Sequence, residues 1–219
     1  MDTIECIRTR RSVRKFMDVP IPFDTIANIV DCARLAPTAG NLMNFKFIAV
    51  FDPTKRKALA EASLQQYWMA SAPVIIIIVA EPVVGKRYYG IRGERLYSVQ
   101  NCSAAAQNVL LAAHAYGLGG CWIGGFDENM VKRVCGIPDE HRPQVMIPIG
   151  YPDEKVPMPP KFPIENMFYF NSWRARIKDV VAYFGWTSIK MQQWLGNMKG
   201  KLGQLHGKVK DAAKKIVNK

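Results

Sequence analysis

The chain has no apolar run long enough to cross a bilayer: the longest, Pro73 to Ala80, falls far short of the roughly 20 residues a spanning helix needs. Met1-Asp2-Thr3-Ile4-Glu5 lacks the apolar stretch of a secretory signal, so the cytoplasm is the expected compartment. Histidine is scarce, with only His114, His141 and His206, and no serine stands in a Gly-x-Ser-x-Gly setting. A hydrolase triad therefore has no starting point. The five cysteines (Cys6, Cys32, Cys102, Cys121, Cys135) are widely spaced and form no Cys-x-x-Cys pair, which argues against zinc and iron–sulfur centres. No metal site is expected, and the cysteines read as buried, reduced thiols.

What is present suits a globular protein. Hydrophobic residues make up 49% and charged residues 22% of 219 positions, enough for one sizeable core with an appendage. The net charge of +12 is unevenly spread: Thr187 to Lys219 carries eight lysines against one acid, Asp211, and the rest of the chain 22 basic against 17 acidic residues. The body is only mildly basic, and nucleic acid is not an expected partner.

Hydrophobic spacing predicts helices over Asp2–Thr9, with Ile4 and Ile7 on one face, over Phe23–Leu35, over Pro53–Met69 and over Ser98–Tyr116. Strands are predicted at Phe45–Phe51, Pro73–Ala80, Cys121–Ile123 and Gln144–Ile149, the second buried on both faces. Glu81–Leu96 has no clear period and reads as a surface loop or lid. The proline-rich chain after Gly150 reads as an extended arm. An α+β or α/β domain follows.

Three segments could carry chemistry. Arg8-Thr9-Arg10-Arg11-Ser12-Val13-Arg14-Lys15 puts five cations in eight positions, either a phosphate cradle or a solvated basic turn. Ala36-Pro37-Thr38-Ala39-Gly40-Asn41 is a turn whose carboxamide can both donate to and accept from a planar heterocycle. Gly117 to Gly125 holds five glycines in nine positions around a short strand, either a bulge or a place where backbone approaches a ligand. Its spacing is not the Gly-x-Gly-x-x-Gly of a dinucleotide fold. With no acid–base set in view, the chemistry points to a bound cofactor that the protein orients.

In order and separation these segments, with Ser103-Ala104-Ala105-Ala106-Gln107-Asn108, resemble the nitroreductase family of FMN-dependent oxidoreductases over residues 1 to about 173. The resemblance implies an α+β fold with a mainly antiparallel sheet, a homodimer with an FMN in each interface cleft, and a domain-exchanged C-terminal arm spanning 151–173. It also implies NADH or NADPH as donor, hydride transfer at the flavin with no catalytic side chain, and a small electron-poor acceptor (a nitroaromatic, quinone or free flavin) in a ping-pong cycle. Carried over by position, Arg10, Arg11, Ser12 and Arg14 would hold the phosphate and ribityl chain, and Pro37, Thr38 and Asn41 would line the isoalloxazine. Ile123, Gly124 and Gly125 would bring backbone amides to the flavin, and Lys161 would stand where the family commonly has an arginine. Trp68, Tyr89 and Arg92 are the residues expected to meet the acceptor. Met43, Phe45 and Asn101 depart from the family pattern of glutamine, tryptophan and an acid.

Residues 174–219 form a separate basic extension. From Met191 to Ile216 apolar residues recur at heptad spacing, while Gly196, Gly200, Gly203 and Gly207 weaken an isolated helix. It could pair with a helix of the dimer, make peripheral contact with an anionic membrane through Trp186 and Trp194, or stay solvated. The rival to the enzyme is a non-catalytic flavin-fold protein whose tail binds membrane or an anionic polymer.

Overall fold

The computed structural model describes residues 1–176 and falls into two compact units, Met1–Pro159 and Pro160 onward. The first unit is built on a four-stranded sheet, β1 (Phe45–Val50), β2 (Val74–Ala80), β3 (Gly119–Gly120) and β4 (Arg142–Gly150), in the order β1-β2-β4-β3 with every pair antiparallel. β2 is buried along its whole length. Its side chains alternate between two layers: Val74, Ile76, Ile78 and Ala80 face one cluster, Ile75, Ile77 and Val79 the other. A buried isoleucine is worth about 1.5–3 kcal/mol, so this strand is the spine of both cores.

One layer holds α2 (Phe23–Arg34) and the long α5 (Ser98–Ala115), where Ile26, Ile29 and Ala33 meet Ala105, Ala106, Val109 and Ala113. Small residues on α5 let it lie close to the sheet. The other layer holds α3 (Pro53–Ala62) and α6 (Glu128–Cys135). Helices on both faces of an antiparallel sheet make the fold α+β, as the resemblance implies.

Several predicted elements are corrected. The helix predicted over Pro53–Met69 starts as expected, with Asp52 accepting from Lys55 N (3.0 Å), but it ends at Ala62. Leu64 and Gln65 then take left-handed backbone (φ 56° and 58°) before a 3₁₀ turn, Tyr67–Ser71. The predicted loop or lid Glu81–Leu96 is α4 (Pro82–Arg92) followed by a π-helical turn, Gly93–Tyr97. Its period is broken because α4 kinks at Tyr89 and Gly90 (φ 59°). The strand predicted at Cys121–Ile123 is shifted forward to Gly119–Gly120, leaving only an isolated bridge between Ile123 and Met146. Sequence spacing missed α6, although Asp127 accepts from Met130 N (2.8 Å) at its start and Gly136 (φ 66°) closes it.

Ahead of α2 lies α1 (Thr3–Thr9), which buries Cys6 rather than the predicted face: Ile4 and Ile7 are both more than half exposed. Cys32 is exposed, against the expectation that all five thiols are buried, and all five are free. In the second unit a short 3₁₀ turn (Ile164–Asn166) leads into an aromatic cluster in which Tyr169 packs edge-on to Trp173, with Arg176 over the Tyr169 ring. The heptad seam and the tail's partners lie outside the described residues.

Candidate functional site

Two regions of the first unit carry the predicted site residues other than Lys161. In the first, the arginine-rich segment leaves α1 and runs as an extra strand beside the sheet. Ser12 bridges Gly120 in parallel, Val13 N donates to Gly120 O (3.1 Å), and Met17 N donates to Tyr151 O (2.9 Å). A Cβ on Gly119 would come within 2.7 Å of the Val13 side chain, so this approach requires glycine. The arginine run and the glycine-flanked strand therefore meet within one chain.

The side chains of this region point different ways. Arg14 lies over Trp68, which also stacks on Phe16. Burial pushes the Cys121 thiol up, while Arg14, a hydrogen bond from Ser12 and Arg10 pull it down, so this thiol sits among three of the predicted cofactor residues. Arg11 is turned back: its Nη1 donates to the carbonyls of Arg8 and Arg10 (2.8 Å each), at the end of α1. Arg10 and Arg14 form no salt bridge among the described residues, and the Glu154 carboxylate accepts instead from the backbone of Arg14 (2.6 Å) and Lys15 (3.0 Å). Adjacent cations without acidic partners are a fitting receptor for a phosphate.

Behind Arg10 and Arg11 lies a cavity of about 230 Å³, bounded by Thr9, His114 and Gly117 to Gly120. Thr9 Oγ1 donates its single proton to Glu5 O (2.7 Å), so the 2.8 Å contact with His114 Nε2 has the imidazole N–H as donor. Burial holds His114 below the usual histidine range, with Arg10 and Arg11 adding to the effect and Glu5 opposing it. His114 thus joins the cationic region, a role its place among alanines did not signal.

Ile123 is buried and paired with Met146, while Gly124 and Gly125 are exposed, with Leu64 close by. Trp68 belongs to this first region, away from the other residues expected to meet the acceptor. Tyr89 and Arg92 lie on α4, where Arg92 Nε donates to Tyr97 Oη (3.0 Å). Lys161 belongs to the second unit.

The second region is the loop Pro37–Asn41. Gly40, Asn41 and Met43 all have left-handed backbone (φ 56°, 57° and 44°). For the two non-glycine residues this costs on the order of 1 kcal/mol or more each, strain of the kind that gathers at functional sites. Ala39 N donates to Asn101 near the start of α5 (3.0 Å), whereas His114 stands near its end, and the helix rises about 20 Å between them. Within one chain, this loop and the arginine-lined cavity sit at opposite ends of α5.

This architecture is that of an α+β protein with an arginine- and glycine-lined cavity. The Nitroreductase family model matches residues 7–68 and 62–151, and the chain belongs to that family. A relative from Methanothermobacter thermautotrophicus, assigned as an NADH dehydrogenase/NAD(P)H nitroreductase, is 37% identical over 70% of this chain and 79% of its own. The FMN reductase (NADPH) of Bacillus subtilis is 26% identical over 81% of this chain and 77% of its own. Among solved structures, the FMN-dependent nitroreductase of Clostridium difficile superposes with a TM-score of 0.68 at 26% identity, covering 78% of this chain and all of that one.

Proposed function

We propose that this protein is an FMN-dependent oxidoreductase that takes reducing equivalents from NADH or NADPH and passes them, by a ping-pong cycle, to a small electron-poor acceptor such as a nitroaromatic, a quinone or a free flavin. The observation that carries the reading is the Ser12–Gly120 bridge, which brings the arginine run and the glycine segment to one place. When bound, FMN supplies the redox chemistry that no side chain here can perform.

The protein's part is to bind and orient. Arg10 and Arg14 neutralise the phosphate, at about 1.5–3 kcal/mol per charged hydrogen bond, and Ser12 adds a hydroxyl donor. Arg11 supports them by holding the end of α1, a change from the role the sequence suggested. The exposed backbone of Gly124 and Gly125, next to Ile123, offers donors to the flavin. Pro37, Thr38 and Asn41 line its ring system, and Lys161 adds a point charge.

Because the loop and the cationic cavity occupy opposite ends of α5, the site is completed by a second copy of the chain. Ile4, Ile7, Phe23 and Leu35 are large apolar side chains left more than half exposed, which supports a homodimer. Residues 151–154 of the arm after Gly150 pair with residues 14–17 of their own chain, so the later part of the arm is the segment we assign to exchange between copies. No helix among the described residues is long and apolar enough to cross a membrane, and the cytoplasm is the proposed compartment.

Purified protein decides the matter. It should be yellow or take up one FMN per chain, bleach with NADH or NADPH without oxygen, and recover colour on adding a nitroaromatic or quinone. Protein that neither retains nor takes up FMN overturns the proposal.

A further inference from the structure

Three buried polar side chains take no part in the chemistry described so far. Asn44 and Ser98 are 1% exposed and Asn101 is 4% exposed. They form a chain of hydrogen bonds whose direction is fixed at one end. Asn101 Oδ1 accepts from Ala39 N (3.0 Å), so its Nδ2 must be the group facing Asn44 Oδ1 (2.7 Å). Asn44 Nδ2 is then left to donate to Ser98 Oγ (2.8 Å), and the Ser98 hydroxyl donates onward to Gly93 O (2.7 Å). Every bond in the series has one donor and one acceptor. An apolar trio would fill the same space but leave Ala39 N without this acceptor, so the series does more than pack.

Its two ends meet again on the other side. Gly93 opens the π-helical turn that follows α4, and α4 kinks at Tyr89. The Tyr89 hydroxyl lies against Gly40, so close that a Cβ there would overlap it. Gly40 is the neighbour of Ala39, where the series begins. The path is a closed ring, hydrogen-bonded along one arc and closed by a phenol against a glycine along the other.

We propose that Asn101, Asn44 and Ser98 are positioning residues that tie the Pro37–Asn41 loop to the kinked end of α4, so that Tyr89 stays seated over Gly40 and the two segments admit an acceptor as one unit. The proposal rests on the reading of that loop as the flavin-lining one. The exposed phenol of Tyr89, with Arg92 held against Tyr97 beside it, then forms the wall an acceptor passes.

Two cuts test the ring. Asn101→Ala severs it at the loop and Ser98→Ala at α4; the serine change removes a single oxygen, and it carries the test should Asn101→Ala fail to fold. Hydrogen–deuterium exchange on the purified protein should rise in both 38–43 and 89–97 for either variant. Acceptor KM should rise about fivefold while kcat stays within about twofold, a split that general loosening of the fold would not produce. The proposal is overturned if each cut loosens only its own segment, or if KM stays at the wild-type value. Should the wild-type protein bind no FMN, the functional reading fails by itself, and the exchange result still decides whether the two segments are coupled.

Discussion

The guanidinium of Arg14 lies 5.9 Å from the centre of the Trp68 ring, and Trp68 in turn stacks on Phe16. The arginine is thereby aimed by an aromatic platform on the 3₁₀ turn after α3. Arg14→Glu should keep the fold and weaken FMN binding by about a hundredfold, since it replaces a charge-assisted hydrogen bond with repulsion. Trp68→Ala, which removes the platform together with some apolar packing but leaves the charge, should cost about threefold. Fluorescence titration of free FMN measures both, and stoichiometric FMN in Arg14→Glu would refute the phosphate assignment.

Arg11 should behave in the opposite way. Its bonds go to the carbonyls of Arg8 and Arg10, so Arg11→Ala should lower thermal stability by about 1 kcal/mol and change FMN affinity much less than Arg14→Glu does. A variant that loses FMN while keeping its melting temperature would show that Arg11 reaches the ligand.

Gly119→Ala tests the seam between the arginine segment and the sheet. The new methyl would lie 2.7 Å from Val13 Cβ, and neither backbone can yield without breaking the Val13–Gly120 hydrogen bond. A loss of about 1–3 kcal/mol in urea unfolding is expected, with weaker FMN binding alongside it. Unchanged stability and affinity would mean that the seam is looser than the structure shows.

His114 gives a pH dependence whose sign is fixed. Its folded-state pKa is depressed, so the unfolded chain takes up a proton first as pH falls. This contribution to stability is therefore complete above the ordinary histidine value of about 6.5, and is lost progressively as pH drops from there to the depressed value. His114→Gln should flatten that limb in urea unfolding compared at pH 7.5 and pH 5.5 (about one unit either side of the ordinary value). An unaltered limb would place the titrating group elsewhere. A phosphate beside Arg10 would offset its push, so FMN should move the His114 imidazole resonances toward titration at higher pH.

The central strand was legible because seven consecutive apolar residues, Val74–Ala80, admit little but burial on both faces. α5 was legible because its alanines and their period agree. α4 was hidden because a helix that kinks at Tyr89–Gly90 and ends in a π turn loses the 3.6-residue repeat that periodicity depends on. In the site, residue type found the arginines but could not tell Arg14, which faces Trp68, from Arg11, which folds back on its own helix. That difference is made by the turn at Arg10 and by residues from elsewhere in the chain. The link from Ala39 through Asn101 to Gly93 was equally out of reach, since it joins positions more than fifty apart, such as Asn44 and Asn101.

The strand-like run of Ser12 to Met17 has a consequence for biosynthesis. Its backbone partners are Gly120 on one side and Tyr151 on the other, so although Trp68 and Ala72 offer earlier apolar contacts, the first-made stretch of the polypeptide cannot complete its hydrogen bonding until nearly the whole first unit has left the ribosome. A nascent chain stalled before Gly120 would carry every arginine of the proposed cradle without the strand that Ser12 and Val13 pair with. Under the proposed function, flavin loading would wait at least until the two ends of the unit have closed on each other.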